Sequence, residues 1–353
     1  MPEALDRLYK DAAAWHCADL VKSDEWIYRL SETEVEDLET ALAFAKANGT
    51  TIYDITQASF PLISFTAGLA EILREIETGR GFVLIRGLPI ERYSEEDASI
   101  IFWGIGAYFG QPIAQNAQGD LLGHVRDQGR DWENDKSARG YQTTSGLPFH
   151  NDSGDVVGLL CFEPAKSGGL SCIVSSASIH NEILASRPDL SKILFEPFYV
   201  DARGEEPEGQ APYYIVPRFN FHKGRLYTQY GRVYVESAQR FPEVPRLTPE
   251  QVAALNLFDE VANSDHLRFD MDFQSGDMQF LSNHTVLHAR TEYEDHKLFD
   301  SKRHLLRLWL FTLGFVDRPP AFARRYADIA AWQANPRGGT SALQGNTDRP
   351  TIE

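Results

Sequence analysis

Apolar positions recur at helical spacing in three stretches before residue 110. In "SETEVEDLETALAFAKANG", Ser31 and Glu34 stand at the N-cap and N3 positions of a capping box, and Asn48-Gly49 supplies the stop. "FTAGLAEILREIETGRG" is a second amphipathic stretch, closed by Gly79 and Gly81, and "SEEDASIIFWGIGAYFG" a third, ending at Gly110. Residues 1 to about 80 therefore read mainly as helix. "GFVLIRGL" breaks the rhythm: a short apolar run between Gly81 and Pro89, it predicts a buried strand. From about 120 to 315 the pattern shortens. "VVGLLCF", "SCIVSS", "YYIVPRFNF", "RLYTQY", the two runs of "SGDMQFLSNHTVLHAR" and "RLWLFTLGF" are β-rich and separated by turn residues. "SIHNEILASRPDL" and "TPEQVAALNLFDEVANS" interrupt them as helices. Many short antiparallel strands with few helices predict a barrel or jelly roll. The expectation is one α+β domain over 1–353: a helical N-terminal region to about 80, a jelly-roll core over about 81–316, and a C-terminal helix ("FARRYADIAAWQ") and tail over about 317–353.

Composition narrows the partners. A formal charge of −17 and a pI near 5.0 give a surface that repels phosphate backbones and anionic membranes. Nucleic acid and membrane are therefore not expected partners, and a small molecule is. Cys17, Cys161 and Cys172 have neither disulfide-framework nor zinc spacing, and the first twenty residues lack a signal-peptide core, so the expected location is cytoplasmic. Oligomeric state is open, a homo-oligomer included.

The candidate chemistry starts in "GLPFHNDSGDV". His150 and Asp152 are two apart in a strand-like run, so both project to one side. Such a pair can bind a metal, act as a catalytic pair, or form a satisfied hydrogen bond. A third ligand is available far along the chain in "NHTVLHARTEYED": His288, with His284 as its rival. Two histidines and a carboxylate form the facial triad of non-haem Fe(II) oxygenases. In "RHLLRLWLF", Arg303 and Arg307 share a strand face with Leu305 and Trp309. An arginine pointing inward needs an anion, which is either a bound carboxylate or a structural acid such as Asp272 or Asp277.

With "PFHND", "SGGLS", "GDMQFLSNHTVLHART" and "RHLLRLWL" in this order, the chain resembles the taurine dioxygenase-type (TauD/TfdA) branch of the Fe(II)/2-oxoglutarate-dependent oxygenases, from about "GFVLIRGL" to "RLWLF". The resemblance implies a double-stranded β-helix core with Fe(II), 2-oxoglutarate and O₂. It implies iron ligands at His150, Asp152 and His288, and 2-oxoglutarate contacts at Arg303 and Ser171. It further implies hydroxylation of an unactivated C–H bond, with succinate and CO₂ as co-products. Asp152 argues against halogenation, for which the family replaces this acid. Taurine-like substrates of relatives meet the second arginine of the R-x-x-x-R pair, so Arg307 becomes a candidate for an anionic substrate group. Phe149, Asn151, Gln115, Asn116 and Arg290 complete the candidate substrate contacts. The alternatives are a desaturase, cyclase or epimerase of this family, a non-oxidative cupin-like isomerase or hydrolase, and a barrel without catalysis.

Overall fold

The computed structural model describes residues 7–116, 118–130, 139–204, 210–298, 302–312, 315 and 318–322. Eight strands organise it: β1 Phe82–Arg86, β2 Leu147–His150, β3 Val156–Glu163, β4 Ser171–Ser175, β5 Phe269–Met271, β6 Met278–Ser282, β7 Val286–Arg290 and β8 His304–Phe311. They form two antiparallel sheets, in the orders β1-β6-β3-β8 and β5-β4-β7-β2. Three short strands extend the first sheet. Ile27–Arg29 runs parallel to β1, while Gln111–Pro112 and Leu122–Val125 both pair with β8.

Period-two alternation sorts the two faces of β8, as the sequence predicts. Leu305 and Trp309 join the inner layer, where Val157, Leu281 and Phe82 of the larger sheet meet Ile173, Val286 and Met271 of the smaller one. Leu306, Leu308 and Leu310 belong to the outer layer. The helix Glu95–Phe109 covers that outer face. Ser94 caps it, and Phe102 and Phe109 set their rings 5.7 and 4.7 Å from Phe280. Each such aromatic, fully buried, contributes about 1.5–3 kcal/mol.

The capping box at Ser31 and Glu34 starts the helix Glu32–Ala47, and Gly79 ends Thr66–Thr78. The N-terminal region is less helical than expected. "WIYR" supplies the strand Ile27–Arg29, which covers the edge of β1 that would otherwise be open. "YYIVPRFNF" is two strands, Tyr213–Pro217 and Phe219–His222, split at Arg218, whose N–H turns away to Leu194 O. The connection that carries Gln115 and Asn116 goes on to form the strand Leu122–Val125. The helix expected beyond 317 lies outside the described residues. Among the described residues, no helix is long and apolar enough to cross a membrane.

Candidate metal and co-substrate site

Strands β2 and β7 are neighbours, and His150 stands directly opposite His288. Directly opposed residues hold their Cβ atoms roughly 5 Å apart, and the two imidazole centroids are 4.4 Å apart. Beyond this pair the ladder slips: Arg290 faces Leu147 instead of Pro148, which has no N–H to give. The carbonyl of Pro148 accepts from His150 Nδ1 at 2.9 Å. That bond fixes the tautomer and leaves the Nε2 lone pair available.

Asp152 lies beyond the end of β2, so strand alternation does not aim it, contrary to the sequence expectation. Asn283 does. Its Nδ2 donates to Asp152 O and Gly154 O, each at 2.7 Å, and its Oδ1 accepts from Asp152 N at 2.9 Å. Asp152 Oδ2 consequently sits 3.3 Å from His288 Nε2, and Oδ1 sits 3.7 Å from His150 Nε2. One donor atom from each of the three residues lies within 4.8 Å of the others. Two donors at right angles around a first-row divalent ion stand about 3 Å apart, so this set fits one. Trp309 Nε1 donates to Asp152 Oδ2 at 2.7 Å, and Arg307 Nη1 lies 3.5 Å from the same oxygen. Burial works to raise the Asp152 carboxyl; Arg307 and His288 outweigh it and hold the group well below the usual carboxylate range. Burial, with His288 adding to it, pushes His150 down to about 4. Both groups are thus in their metal-binding protonation states at neutral pH.

His284, the rival ligand, is committed elsewhere. Fully buried, it makes a 2.8 Å bond from Nε2 to Asp155 Oδ1. Asp155 also accepts from Thr312 N and from Arg318.

Arg303 is 4% exposed and crosses the "SGG" turn. Gly168 and Gly169 both have positive φ, 72° and 67°, and a Cβ on Gly169 would fall 2.9 Å from Arg303 Nε. The guanidinium reaches Gly169 O only at 3.4 Å, and its Nη1 has no partner among the described residues. Ser171 opens β4 next to it, with its Oγ donating to Gln279 Oε1 at 3.2 Å. Gln279 is not among the residues expected from the sequence; its signal there is a lone amide at an inward position of "DMQFL".

Arg307 Nε donates to Gln115 Oε1 at 2.8 Å, and its guanidinium lies over the rings of Tyr141 and Trp309 at 4.9 and 4.6 Å. Asp277, one of its two expected structural partners, is bound instead to Arg86 through two hydrogen bonds. Gln115 is buried and also donates to Arg307 O and Leu121 O, so it positions the arginine.

Three candidate substrate contacts stand apart from the converging groups. Phe149, on the opposite face of β2 from His150, is packed into the larger apolar layer. Asn151 spends its amide on Tyr230 N, Asn283 O and Val286 O, which ties the ligand loop down. Asn116 forms a local turn with Gln118 and Asp120. Arg290 is buried, and its Nη2 binds the carbonyls of Gly140, Thr143 and Ser145. Burial and then Arg303 lower it to about 10.

A second group, Glu95, His124 and His304, gathers on the outer face of β8. Arg126 Nη2 lies 3.2 Å from His304 Nδ1, and His304 Nε2 lies 2.9 Å from His124 Nδ1. A guanidinium only donates, so His304 Nδ1 accepts and its Nε2–H donates to His124. This is a satisfied hydrogen-bond chain.

The family model for "Taurine catabolism dioxygenase TauD, TfdA family" matches residues 49–309. FR-33289 synthase of Streptomyces rubellomurinus is 32% identical over 318 residues, 88% of this chain and 92% of that protein. Taurine hydroxylase-like protein SAT17 of Stachybotrys chartarum is 32% identical over 307 residues, 84% and 78% of the two chains. Asparagine oxygenase, solved with Fe(II), 3-hydroxyasparagine and succinate, shares the fold at a TM-score of 0.62, with 16% identity over 81% of this chain and 93% of that one. The non-haem iron oxygenase OrfP, solved with Fe and alpha-ketoglutaric acid, does so at 0.59, with 17% identity over 81% and 94%. The chain belongs to the TauD/TfdA family and is an Fe(II)/2-oxoglutarate-dependent dioxygenase.

Proposed function

We propose that this enzyme hydroxylates an unactivated C–H bond of a small anionic molecule at an iron centre held by His150, Asp152 and His288. The observation that carries the reading is the convergence of these three donors within 4.8 Å, together with a buried arginine, Arg303, whose Nη1 has no partner among the described residues. We read the two four-stranded sheets as a double-stranded β-helix with the centre between them. Bound there, iron with 2-oxoglutarate and O₂ supplies the oxidising power, and 2-oxoglutarate leaves as succinate and CO₂.

This chain's own groups bind and orient. Pro148 O keeps the His150 lone pair on Nε2. Trp309 and Asn283 hold the Asp152 carboxylate. Arg303 and Ser171 receive the far carboxylate of 2-oxoglutarate in a dry pocket, where a guanidinium–carboxylate pair is strong. Arg307, held by Gln115, presents its Nη groups beside Asp152 and takes the anionic group of the substrate. The hydroxylated amino acids bound in the asparagine oxygenase and OrfP complexes support a small carboxylate-bearing substrate.

The test is a screen of small carboxylates, sulfonates and phosphonates with Fe(II), 2-oxoglutarate and O₂, followed by mass spectrometry. A product heavier by one oxygen, formed in step with succinate, is expected. Loss of two hydrogens without oxygen gain would make the enzyme a desaturase or cyclase. Turnover of neutral substrates with Arg307→Gln unaffected would remove the anionic requirement.

A further inference from the structure

Arg290 and Arg303 both lie against the ring of Tyr293, with Cζ 4.9 and 5.1 Å from its centroid. They are 6% and 4% exposed. Two guanidiniums buried this close repel each other and lose their hydration, so the arrangement is costly unless an anion joins them. Among the described residues neither forms an ion pair. Asp127 and Asp295 act on them through space but pair with neither guanidinium, although Asp295 Oδ2 is itself buried with no hydrogen-bond partner among the described residues. Asp127 lies 3.5 Å from Lys302 Nζ, and Asp295 Oδ1 accepts from the backbone N–H of Arg303 at 2.7 Å.

The reading of Arg303 as the co-substrate anchor accounts for one of the two charges. Arg290 remains. Its Nη2 is used by the carbonyls of Gly140, Thr143 and Ser145, but among the described residues its buried Nε and Nη1 have no acceptor. A side chain that only held this loop would not need those two donors aimed into the protein. Arg290 follows His288 by two positions on β7 and so shares its inward face. Its backbone pairs with Ser171. The free donors of Arg290, Arg303 Nη1 and the Ser171 hydroxyl thus belong to one end of the space between the sheets.

We propose that Arg290 is a second cationic contact for the co-substrate, which makes the pocket selective for 2-oxo acids that carry a distal carboxylate. The inference rests on the co-substrate reading above. A metal-bound 2-oxo acid needs only its oxo-acid end at the metal. The two arginines favour the acid whose other end is charged, and the loop bonds of Nη2 keep the Arg290 fork fixed while it does so.

Calorimetric titrations of the anaerobic, Mn(II)-loaded full-length protein test this, with 2-oxoglutarate and 2-oxobutyrate as probes. Arg290→Met is expected to weaken 2-oxoglutarate by about tenfold or more, the loss of a charge-assisted hydrogen bond. Binding of 2-oxobutyrate, which lacks the second carboxylate, should change little, and Arg290→Lys should recover part of the selectivity. An equal loss for both probes, or no loss for either, would overturn the proposal and leave Arg290 as a loop clamp. If Arg290→Met does not fold, Arg290→Lys and Arg290→Gln decide by the same ratio of affinities. Arg303→Met separates the two claims. Unchanged 2-oxoglutarate affinity there refutes the co-substrate reading itself, whereas a loss in Arg303→Met with none in the Arg290 variants refutes only the second contact.

Discussion

Replacing Trp309 with Phe should weaken metal binding although the indole donates no ligand atom. Its Nε1–H is 2.7 Å from Asp152 Oδ2, and both side chains are buried. Arg307 also approaches Oδ2, so Oδ1, which faces His150, is the oxygen left for a metal. Without the indole donor, Asp152 keeps its backbone clamp from Asn283 but loses the bond that fixes its carboxylate rotation. A hydrogen bond to a charged acceptor contributes about 1.5–3 kcal/mol, equal to a loss of roughly 10- to 150-fold in affinity. Partners that orient metal ligands commonly account for about 10–100-fold, so the two estimates agree. Mn(II) titration followed by electron paramagnetic resonance reads the affinity without redox chemistry. A melting curve of the metal-free protein separates the lost indole volume from the lost bond. Unchanged Mn(II) affinity with a lowered melting temperature would refute the argument, since the indole would then only fill space.

Asp155→Asn should destabilise the fold by about 1.5–3 kcal/mol, because it removes the charged acceptor that His284, Thr312 N and Arg318 share; a denaturant midpoint close to the wild-type value would contradict this. His304 is held down to about 3 by burial, Arg126 and His124, with Glu95 and Phe162 as its other neighbours. The unfolded chain takes up this proton below about pH 6.5 while the folded chain does not. Stability should therefore fall by about 1.4 kcal/mol per pH unit from this group between about 6.5 and 3, and urea unfolding of His304→Gln should show a shallower pH dependence. Gly169→Ala puts a Cβ against Arg303 Nε at positive φ, so it should weaken 2-oxoglutarate binding by calorimetry while Mn(II) affinity stays the same.

What the sequence made legible follows from how local each signal is. Ser31 with Glu34, Asn48-Gly49 and Gly110 act within one turn, and the helices begin and end there. Alternation in "RHLLRLWLF" placed Leu305 and Trp309 inside and Leu306 and Leu308 outside without any knowledge of what they meet. Pairing between distant strands is not local. No pattern in "DLLGHV" shows that it will lie on β8, and Gln115 next to it could not be distinguished from a solvated loop amide. Phe149 stands apart for a related reason: on a strand, the residue adjacent to His150 takes the opposite face. Asn151, beyond the end of that strand, is held instead by Asn283 O, Val286 O and Tyr230 N.

The same distinction explains why the triad was readable although its stated cause was incomplete. His150 and His288 meet because two strands pair in one register, and a slip of one residue would turn every side chain of β2 to its other face. Pro148 sits at the bulge beside that register and also fixes the His150 tautomer, so one residue serves both the geometry and the chemistry. Asp152 escapes the alternation rule altogether and depends on Asn283, 131 positions away. Asn283 lies on the turn between β6 and β7, the strand that bears His288. The carboxylate and the second histidine are thus set by one short connection. The chain order of Asn283 and His288 in "SNHTVLH" matters as much as the H-x-D pair that first drew attention to the site.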